Sequence, residues 1–153
     1  MNCIIIEDEL PAQNIIKSYT RKIPDLELIA SFQTAISANE FLKSNTVDTI
    51  FLDINLPDIS GLDFIKTIKN PPKIIITTAY PDYAVSSFEL DTIVDYLVKP
   101  FSFDRFLKAV TKAENQVKNI KIKDKEVIYL NIDKTIHKVY LEEILYLESD
   151  RNY

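Results

Sequence analysis

The chain has 153 residues, 46% of them hydrophobic and 27% charged, with 18 basic and 23 acidic side chains for a net charge of −5; that balance fits one globular domain plus a remainder and argues against a surface that coats nucleic acid or membrane. A single glycine, Gly61, cannot supply a GxGxxG or GxxxxGK[ST] phosphate loop, which excludes nucleotide-fold dehydrogenases and P-loop NTPases. A single cysteine, Cys3, excludes an internal disulfide or CxxC site, and a single histidine, His137, excludes HExxH and leaves any Ser-His-Asp triad to that one residue.

Up to about residue 119, apolar strand-like runs alternate with helical patterns. Cys3 to Ile6 is a short apolar run that stops at acids. Pro11 sits where a first helical turn tolerates it, and Ile15, Ile16 and Tyr19 recur at helical spacing. Leu26 to Phe32 predicts a second strand and Ala35 to Leu42 a short helix. Thr49 to Ile54 predicts a third strand, with an acid near its end. Gly61 to Ile68 predicts a helix, stopped by Asn70-Pro71-Pro72. Lys73 to Thr78 predicts a fourth strand, Pro81 to Leu90 a weak helix and Ile93 to Val98 a fifth strand. Ser102 reads as the N-cap of a long last helix, with an apolar face of Phe103, Phe106, Leu107, Val110, Ala113 and Val117. Five βα units with continuous apolar strands imply a doubly wound α/β fold, a parallel sheet covered on both faces. Cys3 then lies in a central strand and is expected to be inert.

Charge and periodicity both change near residue 120. Residues 1–98 hold 7 basic and 14 acidic side chains, residues 99–125 hold 8 and 3, and residues 126–153 hold 3 and 6. The basic stretch from Lys108 to Lys125 reads as the exposed face of a helix running into a polar linker, in preference to a DNA patch. Beyond it, Ile128, Leu130 and Ile132 alternate, as do Val139 and Leu141 after Asp133-Lys134. This predicts a β-hairpin followed by a further strand, Ile144 to Glu148. His137 is expected on a strand face or in solvent. The start of the chain lacks a basic signal-peptide region and no apolar run reaches the roughly 20 residues that cross a bilayer, so a cytoplasmic location without membrane contact is expected.

Ligands of open parallel sheets bind beyond the carboxyl ends of the strands. Acids stand there: Glu7 and Asp8 after the first strand and Asp53 at the third, with Thr78 ending the fourth and Lys99 following the fifth. Each has a bland reading. Asp53 alone could be a turn former, Glu7, Asp8 and Glu9 could serve the helix that starts near Pro11, and Thr78 and Lys99 alone would be a β-former and a solvated lysine. Together they are another matter. Three carboxylates gathered without a cation repel, and hard oxygen donors around an open site suit Mg²⁺. A lysine and a hydroxyl beside them are equipment for a phosphoryl group in transit, and a carboxylate nucleophile such as Asp53 would form an aspartyl phosphate.

The blocks IIIEDE, FLDINLPDISG, IIITTAY and DYLVKPF resemble the four signature blocks of the response-regulator receiver domain of two-component signalling. The resemblance covers residues 1–119. It implies a five-stranded parallel sheet of order 2-1-3-4-5 with five helices. It also implies that Asp53 is the phosphoacceptor, served by a sensor histidine kinase, and that Glu7, Asp8, Asp53 and the backbone carbonyl of Asn55 hold Mg²⁺. Thr78 would hydrogen-bond a phosphoryl oxygen, Lys99 would ion-pair with it, and Tyr96 would be the switch aromatic that follows Thr78. Pro57 and Gly61 match the loop after the phosphoacceptor, while Glu7 stands where many relatives carry aspartate. The expected output is homodimerisation through the face of the fourth helix, fifth strand and fifth helix, or release of a C-terminal domain. After a linker at 120–125, residues 126–153 resemble the incomplete opening of a LytTR-type DNA-binding domain, especially in EEILYLES and NY. DNA binding is expected of a longer protein and not of this fragment. A haloacid-dehalogenase-type phosphohydrolase shares the strand-end aspartate, but the position of its general acid is occupied by Asn55, which moves no proton, and no room remains for a cap domain. A flavodoxin-like electron carrier would need a loop after the first strand that accepts a flavin phosphate, where Glu7, Asp8 and Glu9 repel one.

Overall fold

The computed structural model describes residues 1–80, 91–123, 127–132 and 135–140. Strand β1 (Asn2–Ile6) leads to helix α1 (Leu10–Thr20), then β2 (Glu27–Phe32), α2 (Ala35–Leu42), β3 (Thr49–Asp53), α3 (Gly61–Thr67), β4 (Lys73–Thr78), β5 (Ile93–Val98) and α4 (Phe103–Lys123). These strands form one sheet of order β2-β1-β3-β4-β5, with every neighbouring pair parallel. The α/β sheet and its order match the expectation. The weak helix expected over Pro81–Leu90 lies outside the described residues, so four helices are seen here in place of the five expected.

The period-2 alternation of the central strands divides the core between the two sheet faces. On one face Ile4, Ile6, Ile50, Leu52, Ile74 and Ile76 pack with Ala35 and Ala38 of α2 and Phe64 and Ile65 of α3. On the other, Cys3, Ile5, Phe51, Ile75 and Leu97 pack with Ile16 of α1 and Phe106, Ala109, Val110 and Ala113 of α4. Each of the buried isoleucines contributes about 2 kcal/mol by leaving water. Phe51 and Phe106 stack with ring centroids 5.0 Å apart, fixing α4 on the sheet.

Helix α4 starts as expected: Ser102 Oγ accepts from the Arg105 N–H at 3.2 Å. Its buried stripe is Phe106, Ala109, Val110, Ala113 and Val117, and Leu107, expected on that face, is exposed. A helix turns about 100° per residue, so Leu107 falls beside the stripe that Phe106 and Val110 define. The helix also runs on to Lys123, through part of the stretch expected as a linker.

Contacts divide the chain into two compact units, Met1–Val117 and Lys118–Tyr153. In the second, β6 (Val127–Ile132) and β7 (Thr135–Tyr140) pair antiparallel from Val127 with Tyr140 to Ile132 with Thr135. This is the expected hairpin; the further strand expected over Ile144–Glu148 lies outside the described residues.

Candidate functional site

The parallel register decides which residues meet. Ile6 lies opposite Phe32 and Leu52, Asp53 opposite Thr77, and Thr78 opposite Val98. The next residues along β1 and β5, Glu7 and Lys99, therefore arrive at the same sheet edge as Asp53 and Thr78. Carboxylate oxygens of Glu7, Asp8 and Asp53 lie within 4.8 Å of one another.

Glu7 is fully buried and Asp53 nearly so, while Asp8 is half-buried. Lys99 makes their proximity tolerable. Its Nζ lies 2.6 Å from Glu7 Oε2 and 2.7 Å from Asp53 Oδ2. The contact to Asp53 is an aligned hydrogen bond; that to Glu7 is an ion pair outside hydrogen-bond geometry. Burial pushes the Glu7 carboxyl up to about 7, and Asp53 adds to the rise while Lys99 opposes it. Burial works against the Lys99 charge, but the carboxylates of Asp53 and Glu7 outweigh it and hold the ammonium above its usual range. The Lys99–Pro100 peptide is cis.

Asp53 Oδ1 accepts from the Asn55 N–H at 3.0 Å, which ties the carboxylate to the start of the β3–α3 loop. The Thr78 hydroxyl accepts from the Tyr80 N–H at 3.0 Å, and the Thr78 carbonyl accepts from the Lys99 N–H at 2.8 Å. Tyr96 packs against the first core cluster; its hydroxyl is buried and has no hydrogen-bond partner among the described residues. The residues expected at the sheet edge thus come together, with Tyr96 three residues before Lys99 on β5. The alternative reading of the acids as helix caps finds little support: Glu9 is the N-cap of α1 but makes no side-chain cap hydrogen bond, and the first turn holds no acid.

Two glutamines that the sequence reading passed over hold the acidic loop in place. Gln13 is buried on α1, and its Nε2 donates to the carbonyls of Glu7 at 2.7 Å and Phe32 at 3.2 Å. Gln33 Nε2 donates to the Asp8 carbonyl at 2.9 Å. The signal for Gln13 was available: it lies on the same stripe as Ile16 and Thr20, where a polar side chain must find a partner. Gln33 carries no such mark.

Clustered hard oxygens with one open side are a donor set that fits a divalent cation keeping several waters. Its chemistry would be to neutralise charge on an oxyanion brought to Asp53, with the carboxylates of Glu7, Asp8 and Asp53 as the clustered donors.

The response regulator receiver domain family matches residues 3–111. The chain belongs to that family. Among its relatives, the sensory transduction protein LytR of Staphylococcus haemolyticus is 41% identical over 122 residues, spanning 78% of this chain and 47% of that protein. The sensory transduction protein LytT of Bacillus anthracis is 32% identical over 162 residues, spanning 96% of this chain and 65% of that protein. The chain spans about half to two-thirds of the length of these two relatives. The response regulatory domain of MrkE from Klebsiella pneumoniae superimposes on this receiver with a TM-score of 0.70 at 33% identity, over 78% of this chain and 99% of that one. The response regulator TrrA of Thermotoga maritima, solved as a complex with Mg²⁺-BeF, superimposes with a TM-score of 0.64 at 29% identity, over 73% of this chain and 97% of that one. Among the described residues of the receiver, no helix is long and apolar enough to cross a membrane.

Proposed function

We propose that this receiver accepts a phosphoryl group on Asp53 from the phosphohistidine of a sensor histidine kinase, with Mg²⁺ held by Glu7, Asp8, Asp53 and the Asn55 carbonyl. An Asp53 carboxylate oxygen forms the new bond to phosphorus, the phosphorus–nitrogen bond to the imidazole breaks, and the imidazole keeps the electron pair and takes a proton. The observation that carries this reading is the shared ammonium of Lys99, 2.6 Å from Glu7 and 2.7 Å from Asp53 at the carboxyl edge of the sheet. Such a charge stabilises the equatorial oxygens of a phosphoryl group in transit. One stoichiometric transfer, and not turnover, is the activity.

The switch follows from the same edge. A dianionic phosphoryl group on Asp53 competes for the Thr78 hydroxyl, now engaged by the Tyr80 N–H, and for Lys99. Movement of Thr78 changes the space beside Tyr96, whose hydroxyl is buried with no hydrogen-bond partner among the described residues. The output is a population shift toward a homodimer through the face of β5 and α4, transmitted to a LytTR-type DNA-binding domain that opens at residues 126–153.

Incubation with acetyl phosphate and Mg²⁺ tests the reading by intact-mass measurement. The wild type gains one phosphoryl group per chain, and Asp53→Asn gains none. No gain in the wild type, or an undiminished gain in Asp53→Asn, overturns it.

A further inference from the structure

The loop between β3 and α3, residues 54–60, carries Asn55 and so decides where its amide and carbonyl stand beside Asp53. The ends of this loop are pinned together. Gly61 N–H donates to the Ile54 carbonyl at 2.8 Å, and a Cβ on Gly61 would lie 2.2 Å from the Asp53 carbonyl oxygen. The outer part of the loop is held from across the fold. Asp58 Oδ1 accepts from the Ala35 N–H at 3.1 Å, and Asp58 Oδ2 accepts from the Ile36 N–H at 2.8 Å. These are the first amides of α2, donors with no partner inside the helix. The helix's own N-cap, Thr34, already accepts from the Ser37 N–H. A carboxylate at this positive helix end is favourable; burial opposes the Asp58 charge, but the backbone N–H groups of Ile36 and Ala35, with those of Asp58 and Ile59, together outweigh it and hold the carboxyl below its usual range.

The β2–α2 junction also grips the other acidic loop. Glu7 N–H donates to the Phe32 carbonyl at 3.0 Å, Gln13 bridges the Glu7 and Phe32 carbonyls, and Gln33 holds the Asp8 carbonyl. The Phe32 carbonyl and Gln33 side chain on one side, and the Ala35 and Ile36 amides on the other, are therefore a common anchor to which the Thr34 side chain does not contribute. The loop carrying Glu7 and Asp8 is fastened to its first half, and the loop carrying Asn55 is fastened to its second half through Asp58.

We propose that Asp58 is a positioning residue for phosphoryl transfer to Asp53: it ties the Asn55 loop to α2 so that the Asn55 carbonyl stays within reach of the cation held by Glu7, Asp8 and Asp53. The proposal rests on the receiver reading given above. Asp58 touches no reacting atom and acts through the loop backbone. A residue that only capped α2 would change stability and nothing else. Thr34→Ala supplies that comparison, because it removes a cap of the same helix without touching the loop.

The experiment uses the full chain and the variants Asp58→Ala, Asp58→Asn and Thr34→Ala. Mg²⁺ alone is titrated by calorimetry, amide hydrogen exchange is followed by NMR, and acetyl-phosphate uptake is measured across Mg²⁺ concentrations. Removing groups that orient metal ligands costs roughly 10–100-fold in affinity, so Asp58→Ala, acting through backbone, is expected to bind Mg²⁺ about tenfold more weakly. Its Ala35, Ile36 and Asn55 amides exchange faster, and its phosphorylation slows at low Mg²⁺ and recovers at saturation. Asp58→Asn, which keeps one acceptor, falls between. Thr34→Ala melts earlier but binds Mg²⁺ as the wild type does. Mg²⁺ binding by Asp58→Ala within about twofold of wild type, or an equal loss in Thr34→Ala, overturns the proposal. If Asp58→Ala does not fold, the comparison of Asp58→Asn with Thr34→Ala decides by the same criterion. Failure of the wild type to take up phosphoryl overturns the receiver reading, while normal Mg²⁺ binding by both Asp58 variants overturns only the role of Asp58.

Discussion

Gly61→Ala separates tertiary packing from local propensity by sign. Gly61 is the first residue of α3, and among the described residues no glycine has a positive φ. On local grounds alanine should stabilise there by about 0.4–1 kcal/mol, because it restricts the unfolded chain. The tertiary structure predicts the reverse. A methyl group built on Gly61 sits 2.2 Å from the Asp53 carbonyl oxygen and 3.1 Å from Ile54 Cα, where contacts below 3.0 Å essentially never occur. The atoms it meets are backbone, so no side chain can swing away. Relieving the overlap costs roughly 1–3 kcal/mol, and parting the Gly61 N–H from the Ile54 carbonyl costs about 1 kcal/mol more. Set against the local gain, the net is a destabilisation of about 1–3.5 kcal/mol, centred at about 2.5 kcal/mol. For a domain of this size that lowers the melting temperature by about 10 °C. Urea denaturation measures the first quantity and calorimetry the second. Because the displaced backbone belongs to Asp53, acetyl-phosphate uptake should also slow. A variant as stable as the wild type, or more so, with unchanged uptake would refute the reasoning.

Mg²⁺ at ten times its dissociation constant should stabilise the receiver by about 1.4 kcal/mol through mass action; the shift in thermal melting disappears with EDTA, and in Asp8→Asn it falls away while the apo melting point stays near wild type. Asp95 is held by Arg105 at 2.8 Å through both oxygens and by Lys112 at 3.2 Å. Burial opposes its charge, but Arg105, the Tyr96 N–H and Lys112 prevail and lower its pKa. A depressed carboxylate pKa stabilises the fold above the unfolded value of about 4, and that stability is lost as pH falls through the folded value. Asp95→Asn should therefore cost about 2 kcal/mol at pH 7, and its urea midpoint should converge on that of the wild type only as pH falls below the ordinary carboxylate range. Cys3 is fully buried, and burial pushes its thiol up to about 12; a thiol reagent should modify it at least ~1000-fold more slowly than a free thiol until urea unfolds the protein.

Much of this receiver is legible in the order of its residues. The runs Cys3–Ile6, Thr49–Asp53 and Lys73–Thr78 are apolar on both faces, which only a sheet buried on both sides satisfies, and parallel strands carry whatever follows each run to one edge. Glu7, Asp53, Thr78 and Lys99 could therefore be nominated by position alone, before any contact was known. Local rules also placed Ser102 as a cap. Sheet order was different in kind: it came from resemblance to a family, since periodicity does not say which strands are neighbours. The tertiary structure decided what depends on distant backbone. It gave Lys99 two carboxylates at once, turned Leu107 outward in favour of Ala109, and set the Gln13 amide between the Glu7 and Phe32 carbonyls. It also sent Asp58 to amides at Ala35 and Ile36, a bond between groups 22 and 23 residues apart. Such partners are main-chain atoms, identical at every residue, so the letters of the sequence carry no mark of them until the chain has closed on itself.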